Sequence, residues 1–310
     1  MHVALAGVGA LGQHILRGIL ATEKHSVTIL TRGEPRFNDP RVTWRKVDFT
    51  DKSSLVEALR GVETCISTGS SFDDKAFAEG QMTLVEACIA AGVRRFVPSE
   101  FEFDPYSRKD RYDYLISKRK VLSFLQTPAI REKIRCTIFT PGIFYDYYSP
   151  RTEKGHLSSE SLVDIGFDVV VNLTDCRAEL VDGMDEKMMR FTAVADVGRF
   201  VAKALDLEEW PEQFRMHGAN ISCIELVRLC ERVRGKPFEI ERLSLEDVER
   251  KYEEAKKAND MIGMFKWTIP ACILGGEVGW EDDTAHGVDM RDVFPDEKFE
   301  GLEEFLRKWW

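Results

Sequence analysis

The most constraining feature comes early. Gly7-Val8-Gly9-Ala10-Leu11-Gly12 sets three glycines as G-x-G-x-x-G between an apolar run, Val3–Ala6, and a helical pattern, Leu11–Ala21. Each glycine has its own task in such a turn. Gly7 permits the tight bend, Gly9 lets the backbone approach a pyrophosphate, and Gly12 lets the helix pack closely on the strand. Ala10 and Leu11 open a helix whose unpaired N–H groups and positive dipole end attract phosphate. Six residues alone are a weak pattern, compatible with a merely tight strand-to-helix turn. A strand before and a helix after supply the context that dinucleotide binding requires.

The rest of the first half repeats that rhythm. Strands are predicted at Val27–Thr31, Val42–Asp48, Thr64–Thr68, Arg95–Pro98 and Thr137–Thr140. Between them lie helices near Leu55–Leu59, at Ala76–Ala91 and at Tyr112–Leu125. Strands apolar throughout and alternating with helices signal a parallel sheet covered on both faces. The expected fold is therefore α/β, a Rossmann-type doubly wound parallel sheet. After about Ser149 the rhythm changes. Asp182-Gly183 reads as a hairpin turn between Ala178–Val181 and Met188–Thr192. Helical patterns follow at Asp196–Asp206, Ser222–Arg234, Leu245–Lys257 and Phe299–Trp310. The expected division is a nucleotide-binding domain at 1–148 and a smaller α+β substrate region at 149–310. The helix near 194–206 is expected to pack back on the first domain.

Composition removes other classes. Acidic residues number 53 against 43 basic, a net charge of −10, which disfavours binding to nucleic acid. No apolar run reaches the ~18 residues of a membrane helix, and the chain is expected to open on a core strand with no leader. Seven scattered cysteines (Cys65, Cys88, Cys136, Cys176, Cys223, Cys230 and Cys272) form no C-x-x-C pair. They are read as reduced, buried thiols of a cytoplasmic protein. Six histidines show no metal-ligand spacing, so no metal is expected.

The end of the second predicted strand selects the dinucleotide. A carboxylate there would hold the ribose 2′-hydroxyl of NAD. The chain has Thr31-Arg32, with Arg36 close behind. A guanidinium grips a 2′-phosphate through charge and paired hydrogen bonds, so NADP(H) is favoured. Tyr114-Leu115-Ile116-Ser117-Lys118 places a phenol and an ammonium on one helix face. A neighbouring ammonium makes a phenol a better proton donor to a carbonyl under reduction. Ser99 lies at the carboxyl end of the Arg95–Pro98 strand, where ligands of such sheets collect. Two alternatives stay open: Tyr114 and Lys118 as a plain helix surface, and the Phe144–Tyr148 aromatics as either pocket wall or core.

These residues carry a family resemblance. Gly7–Gly12, Val47-Asp48-Phe49, Cys65-Ile66-Ser67-Thr68, Gln81 and the run Ala91-Gly92-Val93-Arg94-Arg95-Phe96-Val97-Pro98-Ser99-Glu100-Phe101 resemble the NmrA-like/isoflavone-reductase-like group. That group belongs to the atypical short-chain dehydrogenases/reductases. The resemblance spans nearly the whole chain, more weakly after about residue 150. It implies NADPH lying over Gly9–Gly12, Arg32, the Ser67-Thr68-Gly69 stretch and the loop after Thr140, with Gly142 and Phe144. Asp48 and Phe49 would border the adenine. Lys118 falls where the family keeps its functional lysine, to bind the nicotinamide ribose or relay a proton. Ser99 would orient the substrate oxygen. The implied activity is reduction of double bonds, ethers or carbonyls in bulky aromatic metabolites. Two departures stand out. Ala6 and Val8 replace a usual Gly and Thr, and Tyr114 is atypical of the isoflavone-reductase branch. Tyr114 either restores the wider superfamily's proton donor or is coincidental. A redox-sensing regulator without turnover, and a redox-neutral isomerase or dehydratase, are the competing readings. The expected partner is a small-molecule substrate, and monomer and homodimer are equally open.

Overall fold

The computed structural model describes residues 1–69, 73–106, 116–150, 168–279 and 287–310. Six strands form an all-parallel sheet: β1 (His2–Ala6), β2 (Ser26–Thr31), β3 (Val42–Lys46), β4 (Thr64–Ser67), β5 (Arg95–Val97) and β6 (Arg135–Cys136). Their order is β3-β2-β1-β4-β5-β6. Ala6 is in register with Leu30 on one side and Ser67 on the other, so three strands end level. The winding reverses between β1 and β4, which opens a crevice at their carboxyl ends. Val3, Ala4, Leu5, Ile29, Leu30 and Ile66 are fully buried, as the unbroken apolar runs of a two-sided sheet require.

Helices cover both faces: α1 (Ala10–Ala21), α2 (Lys52–Ala58), α3 (Asp74–Ala91), α4 (Ile116–Leu125) and the short α5 (Pro128–Arg131). A further helix, α6 (Val194–Ala204), lies across α1. A Cβ on Gly18 would fall 2.2 Å from the Gly198 carbonyl oxygen, and one on Gly198 would fall 2.2 Å from that of His14. The two helices thus meet backbone to backbone. Ile15, Leu16 and Ile19 share a core with Val197, Phe200 and Val201.

The predicted 137–140 strand is part of a longer run that changes partners. At Thr137 the N–H donates to the Phe96 carbonyl (3.0 Å), whereas the next N–H, of Ile138, donates to Glu212 (3.0 Å). From there β7 (Ile138–Thr140) pairs in parallel with β12 (Gln213–Arg215), which pairs in parallel with β15 (Gly287–Asp289). The large sheet is therefore extended by strands from late in the chain.

Two small sheets fill the second half. One joins β14 (Glu239–Leu243), β10 (Arg177–Val181) and β9 (Val171–Asn172); the other joins β13 (Ala219–Ser222), β11 (Met188–Thr192) and β8 (Ile143–Phe144). The hairpin expected at Asp182-Gly183 is corrected here. Gly183 does turn with φ +86°, but β10 and β11 belong to different sheets. The Asp182 N–H goes to Leu243 of β14 (2.9 Å), which draws the chain out of hairpin register.

Helices α7 (Cys223–Arg234) and α8 (Leu245–Lys257) both start with capping boxes, Ser222 with Glu225 and Ser244 with Asp247. They are followed by α9 (Met261–Leu274), α10 (Met290–Val293) and α11 (Leu302–Arg307). Beyond α11, Trp310 donates from Nε1 to the Tyr148 carbonyl (2.8 Å) and lies under the Arg234 guanidinium. Tyr145 and Tyr148 are core residues: their hydroxyls donate to the carbonyls of Glu300 and Val169, both at 3.0 Å. Among the described residues no helix is long and apolar enough to cross a membrane. All seven cysteines are free thiols, six of them buried.

Candidate active site

The crevice between β1 and β4 is shaped by the glycine turn. Gly7 adopts φ +98° and donates its N–H to Leu30 (3.1 Å), while its carbonyl accepts from the Thr68 hydroxyl (3.0 Å). A Cβ on Gly12 would lie 2.6 Å from that carbonyl oxygen and 2.7 Å from Thr68 Oγ1, so packing excludes any side chain there. Gly9 is the opposite case. It is exposed, and a Cβ built on it meets nothing within 4 Å. Helix α1 begins directly after it with no side-chain cap, which leaves the first-turn N–H groups of Ala10, Leu11 and Gly12 without intrahelical acceptors. Open space before an uncapped helix start fits a diphosphate.

Around this crevice the other expected residues fall on adjoining strand ends. Arg32 and Arg36 follow β2, both exposed, and neither meets a carboxylate among the described residues. The nearby Glu34 is engaged by Lys46 at 2.5 Å. Asp48 follows β3, and its Oδ1 accepts from the Thr50 N–H (2.8 Å) and hydroxyl (2.7 Å). Those two bonds hold its carboxyl below the ordinary range. Phe49 is half-buried against the α2–α3 core. Ser67 is buried, and its hydroxyl accepts from Gln81 Nε2 at 2.6 Å. The same Gln81 accepts from the Ser99 N–H at 3.3 Å and so ties the ends of β4 and β5 together. Thr68 and Gly69 are half-exposed on the crevice side of that tie.

The second cluster lies beyond β5. Ser99 is half-exposed, Phe101 stacks on Phe139 at 6.0 Å, and the Glu102 carbonyl accepts from the Gly142 N–H at 3.2 Å. From α4, Lys118 Nζ meets Glu102 Oε1 at 2.8 Å, with side chains only 16% and 13% exposed. Gly142 sits against the Arg190 carbonyl of β11, where a Cβ would fall at 2.2 Å. Phe144 is buried, with Tyr147 edge-on at 5.8 Å. The Tyr147 phenol is pushed up by burial and by the carboxylates of Glu102 and Asp146. Asp146 itself caps α6, accepting the Val194 N–H at 2.9 Å. Burial raises its carboxyl to about 6 despite that bond.

The loop carrying Ser99 and Glu102 is pinned from below. Asp104 is fully buried and accepts from Gln213 Nε2 (3.0 Å), with Arg215 3.7 Å away. Lys118 and Gly142 thus converge on Glu102, three residues after Ser99. Tyr114 lies outside the described residues. Reasoning from sequence missed Glu102, Asp104 and Asp146. Nothing in their local pattern marked them, because their partners come from distant elements.

A parallel sheet of this order, with a glycine-bounded helix start at its reversal point, defines a Rossmann-type nucleotide-binding protein. The chain belongs to the NmrA-like family, which it matches over residues 3–306. Its relatives include an isoflavone reductase homolog from Zea mays, 27% identical over 99% of this chain and 97% of that protein. Pinoresinol reductase 1 from Arabidopsis thaliana is 25% identical over 98% and 95% respectively. Among solved structures, the binary complex of leucoanthocyanidin reductase with NADPH from Vitis vinifera superposes with a TM-score of 0.77. It covers 100% of this chain and 99% of its own at 19% identity, a likeness of fold.

Proposed function

We propose that this protein is an NADPH-dependent reductase of the isoflavone-reductase-like type, acting on a bulky small molecule with aromatic character. The observation that carries this reading is the open, uncapped α1 start at Gly9, flanked at the end of β2 by two arginines where an NAD site would place a carboxylate. The relatives named for reductases, and a neighbour solved with NADPH, support it. When bound, the dinucleotide supplies the hydride. Gly7, Gly9, Ala10, Leu11 and Gly12 would hold its diphosphate, Arg32 and Arg36 its 2′-phosphate, and Asp48 with Phe49 the edge of its adenine. Thr68 and Gly69 would border the middle of the molecule, with Ser67 holding Gln81 beneath them. Lys118, Gly142 and Phe144 would flank the nicotinamide end, Ser99 would orient the substrate oxygen, and Tyr114 or Lys118 would supply the proton.

Calorimetric titration tests the cofactor. NADPH should bind more than about tenfold tighter than NADH, since a charge-assisted pair contributes about 1.5–3 kcal/mol, and Arg32→Ala should erase most of that preference. Equal affinities in the unaltered protein would refute the assignment.

A further inference from the structure

Resting on that reading, we propose that Glu102 is the positioning residue for Lys118. It holds Lys118 as a charged proton donor, and so suits the site to aryl aldehydes, ketones and enones rather than to substrates that must first surrender a proton. The pair is short and largely shielded: 2.8 Å, with 16% and 13% of the two side chains exposed. At such burial a charge-assisted bond is stronger than its surface counterpart, and it directs a flexible four-carbon stem. The carboxylate is the fixed member. Its own carbonyl takes the Gly142 N–H, Phe101 beside it is stacked on Phe139, and Asp104 just beyond is buried against Gln213 and Arg215. Tyr147 lies near the carboxylates of Glu102 and Asp146, and Arg119 and Lys120 follow Lys118 on α4.

The chemistry follows from that charge state. A lysine acting as a base must offer a free lone pair, whereas an ammonium bonded to a carboxylate has only protons to offer. Reduction of a carbonyl uses such a donor. Hydride arrives at the electrophilic carbon from the dihydronicotinamide, the C=O π pair moves to oxygen, and one Lys118 N–H proton passes to that oxygen. The nicotinamide is left oxidised, and the neutral amine beside Glu102 regains its proton from water. With an enone the hydride adds at the β-carbon, and the enol formed tautomerises to the saturated ketone. A para-hydroxybenzyl ether needs the reverse first step, loss of the phenolic proton to a base.

The test uses the whole protein with Glu102→Gln, which keeps size and removes charge, and Glu102→Asp, which keeps charge. Competitive labelling with acetic anhydride, read peptide by peptide in the mass spectrometer, reports the neutral amine at Lys118 without substrate or cofactor. Lys118 should label at least about fivefold faster in Glu102→Gln than in the unaltered protein, with Glu102→Asp close to the latter. NADPH oxidation is then followed with benzaldehyde, chalcone and 4-hydroxybenzyl methyl ether. A carbonyl probe should turn over and the ether should not. In Glu102→Gln kcat should fall about 10²-fold while KM stays within about threefold, and Glu102→Asp should recover at least about a tenth of the rate. Unchanged labelling with intact NADPH binding overturns the pairing and leaves the reductase reading standing. Turnover of the ether alone, or of none of the three probes, overturns the substrate class. Loss of NADPH binding in the unaltered protein sinks the reductase reading itself.

Discussion

At the residue scale, two glycines of one turn answer to different physics. Gly12 is dictated by the chain's own packing, since its Cβ would strike the Gly7 carbonyl and Thr68. Gly9 has no intramolecular reason to be glycine: its φ of −66° suits any residue and the space around it is open. A side chain at Gly9 should therefore spare the fold and block the ligand. Gly9→Val is expected to melt within a few degrees of the unaltered protein yet bind NADPH at least about tenfold more weakly, by thermal denaturation and calorimetry. Undiminished binding would make the turn purely structural. This contrast also marks how far residues speak for themselves. Gly9 was readable from its strand-to-helix turn and Arg32 from its place at the end of β2, each a local context. Lys118 was readable as half of a local spacing, Tyr114 to Lys118, and from the family resemblance. Its shielded partner Glu102 comes from a loop on another element, and no periodicity connects the two.

At the element scale, Asp146 shows how one buried acid serves a helix start. It accepts the Val194 N–H at the positive end of α6, the helix whose Gly198 meets the backbone of α1. Its carboxyl is raised to about 6 from an ordinary value near 3.8, so folding favours its protonated form. The stability this gives is present at pH below the unfolded value and fades as pH rises through about 6. Above that range the folded protein carries a partly buried charge. Asp146→Asn keeps an acceptor for the helix and cannot ionise. Measured by urea denaturation, the variant's stability relative to the unaltered protein should therefore improve between pH 4 and pH 7, by about 2 kcal/mol. A pH-independent difference would show that the carboxyl is not raised. Sequence patterning handled elements well wherever a single period governed them, as in α1 and α3. It failed at Asp182-Gly183, where turn chemistry was right but β14 competed for the strand. It also placed a strand at Thr137–Thr140 without β6 before it, because the partner change at Thr137 depends on residues more than seventy positions away.

For the whole molecule, several ties cross the middle of the chain. Residues on both sides of position 149 share one core, α1 is locked to α6, and Trp310 reaches back to Tyr148. We expect a single cooperative transition by calorimetry, with the van't Hoff and calorimetric enthalpies in agreement. Two resolved transitions would mean that these ties are too weak to couple the halves. The partner change at Thr137 has a bearing on how such a chain is made. During synthesis the strands β1 to β7 all precede Gln213–Arg215, so the outer edge of β7 waits unpaired while more than seventy further residues are made. Its row of backbone donors and acceptors is then a template for any other extended chain nearby. Strand β12 acts as a closing seam, and a nascent chain halted before it emerges carries an adhesive flank that the finished protein hides.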